Sequence, residues 1–182
     1  MTAGQQAVKV TGHDRRMFAL MNREEGAALY ATAARRRFFV GAHILMTVPW
    51  VVCWNVVVFG ERQVWALVAT LALLLPWCFV TGVINSATRG LLELRGRVLD
   101  ERQLAERDRA RARAHRLTSG LLLAAALGVG AAGWLGDVQV EGLIAPVLVA
   151  VLAVHWLMPL WVAGLMVRDE PADDPGGQFA NA

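Results

Sequence analysis

The chain has 182 residues, 56% of them hydrophobic, and a mean hydropathy of +0.43 that is too high for a soluble domain of this size. Its 18 basic and 15 acidic residues lie almost entirely outside four long apolar stretches. This separation predicts membrane spans joined by loops. An isoelectric point near 9.5 could indicate nucleic-acid binding, but the arginines stand beside the expected spans. Anionic lipid headgroups are therefore the expected partners, and nucleic acid is not.

Four helical spans are predicted at residues 38–59, 64–84, 117–135 and 143–167, together forming one transmembrane domain over 38–167. Each stretch has at least 19 residues, which is enough to cross about 30 Å of hydrocarbon as a helix but far longer than a transmembrane strand. The predicted fold is an all-α integral membrane protein with two transmembrane hairpins and a charged helical loop at 85–116.

The basic residues also predict the orientation of the chain. Seventeen of the 18 Lys and Arg residues fall in the N-terminal segment 1–37, the loop 85–116 or the tail 168–182. By the positive-inside rule, both termini and the loop lie in the cytoplasm of a cell-membrane protein. The N-terminal segment is expected to be partly helical, with Met17, Phe18, Leu20 and Met21 on one apolar side, and the polar tail is expected to be disordered.

The loop is expected to contain a new helix. Asp100 with Gln103 predicts a capping box that starts a helix leading into the third span. The arginines near the spans form the expected basic cytoplasmic face: Arg35, Arg36, Arg37, Arg95, Arg102, Arg109, Arg113 and Arg116. Those at 95, 102, 109 and 116 would share one stripe only if the helix ran through Gly96. The face either touches headgroups as a solvated surface or docks an acidic protein partner.

The third span carries a small residue at every fourth position, namely Gly120, Ala124, Gly128, Ala132 and Gly136. Such a stripe lets a neighbouring backbone approach closely. It predicts a helix-packing face, used either within one chain or between copies in a homo-oligomer.

Two histidines, His43 and His155, are the candidates for an intramembrane polar site, with Thr47 and Asn55 as possible hydrogen-bond partners. His155 is the stronger candidate, because Pro159 four residues later cannot donate to the His155 carbonyl. Counting ~1.5 Å per residue, His43 lies about 8 Å and His155 about 18 Å from the inner edge, so haem ligation by the pair is not expected. A structural hydrogen-bonded histidine, a ligand site and a proton sensor remain open.

The two predicted hairpins also resemble each other. Pro76, Trp77 and Gly82 in the second span correspond to Pro159, Trp161 and Gly164 in the fourth. Because both hairpins would start from the cytoplasm, a duplication would make a parallel repeat.

Several motifs of enzymes and transporters are missing from the sequence. It contains no HExxH, CxxC, GxSxG, phosphate loop or paired carboxylates, and no acidic residue lies within a span. An enzyme, a cofactor and a metal are therefore not expected, and ion-coupled transport lacks its usual carrier residue.

The segment LDERQLAERDRARARAHR before the third span resembles a stretch in small, uncharacterised multi-pass membrane proteins of high-GC bacteria. The preference for Arg over Lys fits such a genome. This resemblance implies a membrane hairpin preceded by an acidic and basic helix, and no activity. The RRRFF segment with His43 is similar to two-helix modules of bacterial sensor kinases, which implies at most an anchor or sensing hairpin.

The sequence as a whole favours a non-enzymatic accessory, assembly or regulatory subunit that acts through helix packing and its basic cytoplasmic face. The main alternative is a small oligomeric channel, pore or transporter component assembled on the stripe of the third span. A redox or lipid-modifying enzyme is the third possibility.

Overall fold

The computed structural model describes residues 11–21, 26–60, 63–96, 98–136 and 139–167. These residues form helices α1 (Gly12–Met21), α2 (Ala27–Tyr30), α3 (Ala33–Phe59), α4 (Val64–Ala87), α5 (Glu101–Leu135) and α6 (Val140–Met166). The last four are long and apolar enough to cross a membrane, so the four predicted spans are confirmed and the chain is a multi-pass membrane protein. The tail expected to be disordered lies outside the described residues.

The start of α5 follows the predicted capping box. The Asp100 carboxylate accepts a hydrogen bond from the Gln103 backbone N–H at 2.7 Å, and the Gln103 side chain accepts one from the Asp100 N–H at 3.1 Å. The described residues between α4 and α5 form turns, with Arg89 and Gly90 at φ values of 51° and 68°. The helical part of the loop is therefore the first half of α5.

The four long helices are arranged as two hairpins, α3 with α4 and α5 with α6, which confirms the predicted fold class. Helix α6 also packs against α3 and, less extensively, α4, whereas the extensive packing of α5 on a long helix is with α6. The Arg36 guanidinium donates to the Val167 carbonyl at 3.1 Å, so α3 starts where α6 ends. This end of the bundle, with the first half of α5, is called the charged end.

The core is concentrated near the charged end. Its buried side chains come from all four long helices: Val40, Val80, Ile84, Ala110, Ala114, Met158, Leu160, Trp161, Val162 and Ala163. Because Ala110 and Ala114 are buried, the arginine-bearing half of α5 packs against the bundle and is not a free arm. At Gly164, an added Cβ would lie 2.9 Å from Val40 and 3.0 Å from Ile84, so any larger residue would force these side chains to shift at this close helix crossing.

Helix α1 packs against the turns that follow α4. The buried Asp14 carboxylate accepts a hydrogen bond from the Thr11 backbone N–H at 2.8 Å and lies 3.9 Å from the Arg95 guanidinium. Gly90 has a left-handed backbone, and a Cβ there would come within 2.8 Å of Met21. The N-terminal helix is thereby fixed against the charged end by a partly buried ion pair and by a contact that requires glycine.

Candidate functional site

The structure places His43, and not His155, at a buried polar site among three helices. His43 lies on α3 with 0% of its surface exposed, between Thr81 and Trp77 of α4 and Trp161 of α6. A buried imidazole must find partners for both ring nitrogens, because an unpaired polar group in an apolar environment costs about 1–3 kcal/mol.

The partners determine which ring nitrogen of His43 carries the proton. The Trp161 indole, which can only donate, points its N–H at Nδ1 over 2.9 Å. Nδ1 is therefore the acceptor, and Nε2 carries the hydrogen that it donates to the Thr81 hydroxyl at 2.8 Å. The Thr81 hydroxyl in turn donates to the Trp77 carbonyl at 2.8 Å. His43 is a neutral imidazole with both nitrogens paired.

A second branch of the network runs through Thr47, one turn above His43 on α3. The Thr47 hydroxyl donates to the His43 carbonyl at 2.7 Å and accepts from the Trp77 indole at 3.0 Å. Since that hydroxyl has one hydrogen, its 3.5 Å approach to the His43 ring is not a second hydrogen bond. His43 and Thr47 are thus brought together as expected, and the structure adds Trp77, Thr81 and Trp161.

Aromatic rings extend this site toward the opposite end of the bundle. Trp77 packs against the His43 ring with centroids 4.7 Å apart, and Trp50 stacks on Trp77 at 6.2 Å and on Trp54 at 5.9 Å. The Trp50 indole N–H is buried with no hydrogen-bond partner among the described residues. The resulting polar and aromatic seam joins α3 to α4 and, through Trp161, to α6.

The chemistry of this seam is that of a structural network. The His43 ring offers no unpaired nitrogen, and no group of three His, Cys, Asp or Glu side chains in the described parts of the chain is placed to hold a metal ion. The network orients three helices by directional bonds, which fix their rotation more sharply than apolar contacts alone.

The other two polar candidates lie elsewhere. His155 is exposed on α6, next to Trp156, which is 73% exposed, and its ring makes no hydrogen bond within the described residues. Asn55 donates to the Val51 carbonyl of its own helix at 2.8 Å, while its buried amide oxygen has no partner there. The structure therefore does not bring His155 or Asn55 into the His43 site.

The small-residue stripe of α5 mostly faces away from the bundle. Gly120, Ala124, Gly128 and Gly136 are exposed, and a Cβ added at Gly120 or Gly128 would meet nothing within 4 Å. Only Ala132 turns partly inward. The reason is geometric: a spacing of four residues advances about 40° per step around a helix with 3.6 residues per turn.

The side of α5 that packs against α6 is a different set of small residues. Ala110, Ala114 and Thr118 are buried, and Ala125 and Val129 continue the same side half-buried. Near the turn, a Cβ at Gly133 would collide with the Val140 side chain. The sequence signal for the intramolecular face was thus the Ala, Ala, Thr spacing within the charged half, which the glycine pattern obscured.

The arginines expected to form one basic face are divided among three environments. Arg36 is buried and donates to the carbonyls of Tyr30 and Val167, both at 3.1 Å, so it closes the bundle end instead of facing out. Arg95 and Arg102 are exposed but lie beside acidic side chains, Arg95 3.9 Å from Asp14 and Arg102 3.3 Å from Glu106. The remaining members are also exposed: Arg35, Arg37, Arg109, Arg113 and Arg116.

One side of α5 unites the exposed arginines and the exposed stripe. We call this set the outward face of α5: Arg109, Arg113, Arg116, Gly120, Ala124 and Gly128. Successive members are three or four residues apart, so each lies beside the next on the helix surface, although the set turns gradually around α5. Basic side chains at the charged end therefore continue directly into small residues along the membrane span.

Comparison of the chain with protein-family models, curated proteins and solved structures gives no match. The fold defines its class as a four-span membrane protein built from two hairpins.

Proposed function

We propose that the chain is a non-enzymatic accessory subunit that binds a transmembrane helix of another membrane protein through the outward face of α5. In this proposal the charged end, with both termini, lies in the cytoplasm, where 17 of the 18 Lys and Arg residues would sit.

The observation that supports this proposal most directly is the exposure of the membrane-spanning half of α5, which is the least buried of the four spans. Of the long helices described, α6 is the one that packs extensively along α5, which leaves most of the circumference of this half exposed. Small side chains at Gly120, Ala124 and Gly128 lower the surface there, so a partner backbone can approach closely. Lipid chains fit such a surface less well than a complementary helix does.

The arginines on the same face would fix the depth at which α5 meets its partner. Arg109, Arg113 and Arg116 are exposed immediately before the apolar part of α5, at the level where anionic headgroups or acidic residues of a partner would meet them. Each such residue adds up to about 1 kcal/mol of attraction to an anionic surface. The combination of basic residues and small residues favours a fixed depth of α5 in the membrane beside its partner helix.

The experiment is purification of the tagged full-length chain from its native membrane in mild detergent, comparing Gly120→Leu and Gly128→Leu with Gly82→Leu. Gly82 is the matched control, because it is an exposed glycine of α4 whose Cβ would also meet nothing within 4 Å. We expect one membrane protein to be recovered in constant ratio with the wild type and Gly82→Leu, and to be lost with both α5 variants.

A partner that stays bound to all three variants would contradict the proposal. A self-associated wild type that dissociates in the α5 variants would replace it with a homo-oligomer, and ion flux from proteoliposomes would then distinguish a pore. Fusion reporters at the two termini check the orientation, and a reporter active outside the cytoplasm would overturn that part.

A further inference from the structure

An open cleft of about 300 Å³ lies between α4, the turns after it, α5 and α6. The apolar part of its lining comes mainly from α6, with Trp156, Leu157 and Leu160. The polar part includes Asn85 of α4, Glu93 of the turns and Arg111 of α5. Thr81 of the His43 network also lines the cleft, whereas the outward face of α5 does not.

The cleft lies at the boundary between the charged and the apolar parts of the bundle. Arg111 is six residues, about 9 Å along the helix, before Leu117, where the apolar part of α5 begins. On the facing helix α6, the sequence is apolar from Leu157 to Met166. A ligand in this cleft therefore meets charged groups on one side and hydrocarbon-like side chains on the other, which is the environment of a phospholipid headgroup with its first acyl carbons.

Two charged side chains that line the cleft are available to a ligand. Glu93 and Arg111 are exposed, and neither forms an ion pair within the described part of the chain. The site thus offers one cationic donor and one anionic acceptor.

These groups match a headgroup that carries both a phosphate and a primary ammonium. The fork of the Arg111 guanidinium suits a phosphate, while an ammonium has N–H donors for the Glu93 carboxylate. A quaternary ammonium cannot donate to that carboxylate, and a purely anionic headgroup would be repelled by it. The geometry points to a binding site for phosphatidylethanolamine, with its acyl chains over Trp156, Leu157 and Leu160.

The test uses the purified full-length chain alone, reconstituted in vesicles of equimolar phosphatidylethanolamine, phosphatidylcholine and phosphatidylglycerol. Lipids retained after transfer to detergent are identified by native mass spectrometry. We expect phosphatidylethanolamine to be enriched over each of the other two by about tenfold, as one charge-assisted hydrogen bond allows. Glu93→Gln and Arg111→Gln should each abolish most of this enrichment.

Arg113→Gln is the matched control, because Arg113 is an exposed arginine on the outward face of α5 and does not line the cleft. It should retain the full enrichment. Equal retention of the three lipids, a preference for phosphatidylglycerol, or the same loss in all three variants would overturn the proposal. Since Glu93 lies in an exposed turn, its variant keeps the test valid even if Arg111→Gln folds poorly. No partner protein is present, so the result is independent of the proposed accessory function.

Discussion

The two hairpins share a composition but use their polar and small residues in opposite ways. In the α3 and α4 hairpin, His43, Thr47 and Thr81 turn inward and satisfy one another with two indole donors. In the α5 and α6 hairpin, His155, Gly120 and Gly128 are exposed, and a Cβ added at either glycine would meet nothing within 4 Å. The comparison indicates that the first hairpin, with the end of α6, holds the fold together, while the membrane-spanning half of α5 is mostly exposed.

The largest expected effect comes from exchanging the two histidines for leucine. His43→Leu leaves the Trp161 N–H buried without an acceptor and disturbs the packing of three helices, so we expect the free energy of unfolding to fall by about 2–4 kcal/mol. His155→Leu should change it by less than about 0.5 kcal/mol. Unfolding in detergent, followed by circular dichroism, measures both. Equal losses in the two variants would remove the distinction between the hairpins.

Substitutions at Gly164 and Gly82, which occupy corresponding positions in the fourth and second spans, should change the free energy of unfolding in opposite directions. Gly164→Ala places a methyl group 2.9 Å from Val40 and 3.0 Å from Ile84, and such overpacking lowers stability by about 1–3 kcal/mol. Gly82→Ala meets nothing within 4 Å and should raise stability by up to about 1 kcal/mol, because alanine favours helix. The same unfolding assay compares them. A stabilised Gly164→Ala would mean that α6 does not cross this closely.

Substitution of single tryptophans tests the hydrogen bonds of the His43 network and should have a smaller effect on stability. Trp77→Phe keeps an aromatic ring beside His43 but removes the N–H donated to Thr47, so we expect a loss of about 1 kcal/mol. Trp156→Phe, at an exposed position of α6, should be nearly neutral. Tryptophan emission gives a second readout, since of these two indoles Trp77 packs against the buried His43 and Trp156 is exposed. Equal stability of the two variants would mean that the Thr47 bond contributes nothing.

The helices could be predicted from the sequence because their signals are local. Span lengths, the absence of charges and the pair of Asp100 with Gln103 each act within a few residues, and the structure confirms them. The predicted spans differ from the helices mainly where a helix continues beyond the apolar stretch, as α5 does from Glu101.

The side of each helix that faces the other helices could not be predicted in the same way. In a soluble protein the apolar side of a helix marks its buried face, but a helix in lipid is apolar all round. His43 and His155 therefore look alike in the sequence, and the proline after His155 made it the stronger candidate. What distinguishes His43 is that Trp161 and Thr81, on two other helices, form hydrogen bonds with its ring. No local sequence pattern encodes these tertiary contacts.

The smallest expected effect concerns the outward face of α5. Gly128→Leu adds a side chain where nothing lies within 4 Å, so the unfolding free energy of the isolated chain should stay the same or rise by up to about 1 kcal/mol from helix propensity. Gly133→Leu shares that gain but collides with Val140, and should be less stable than Gly128→Leu by at least about 1 kcal/mol. If Gly128→Leu instead lost as much as Gly133→Leu, this glycine would belong to the α5 and α6 contact. The loss of a partner in that variant could then no longer be attributed to the outward face of α5. The contrast between a hairpin that holds the fold together and an exposed α5 would then be wrong for this part of α5.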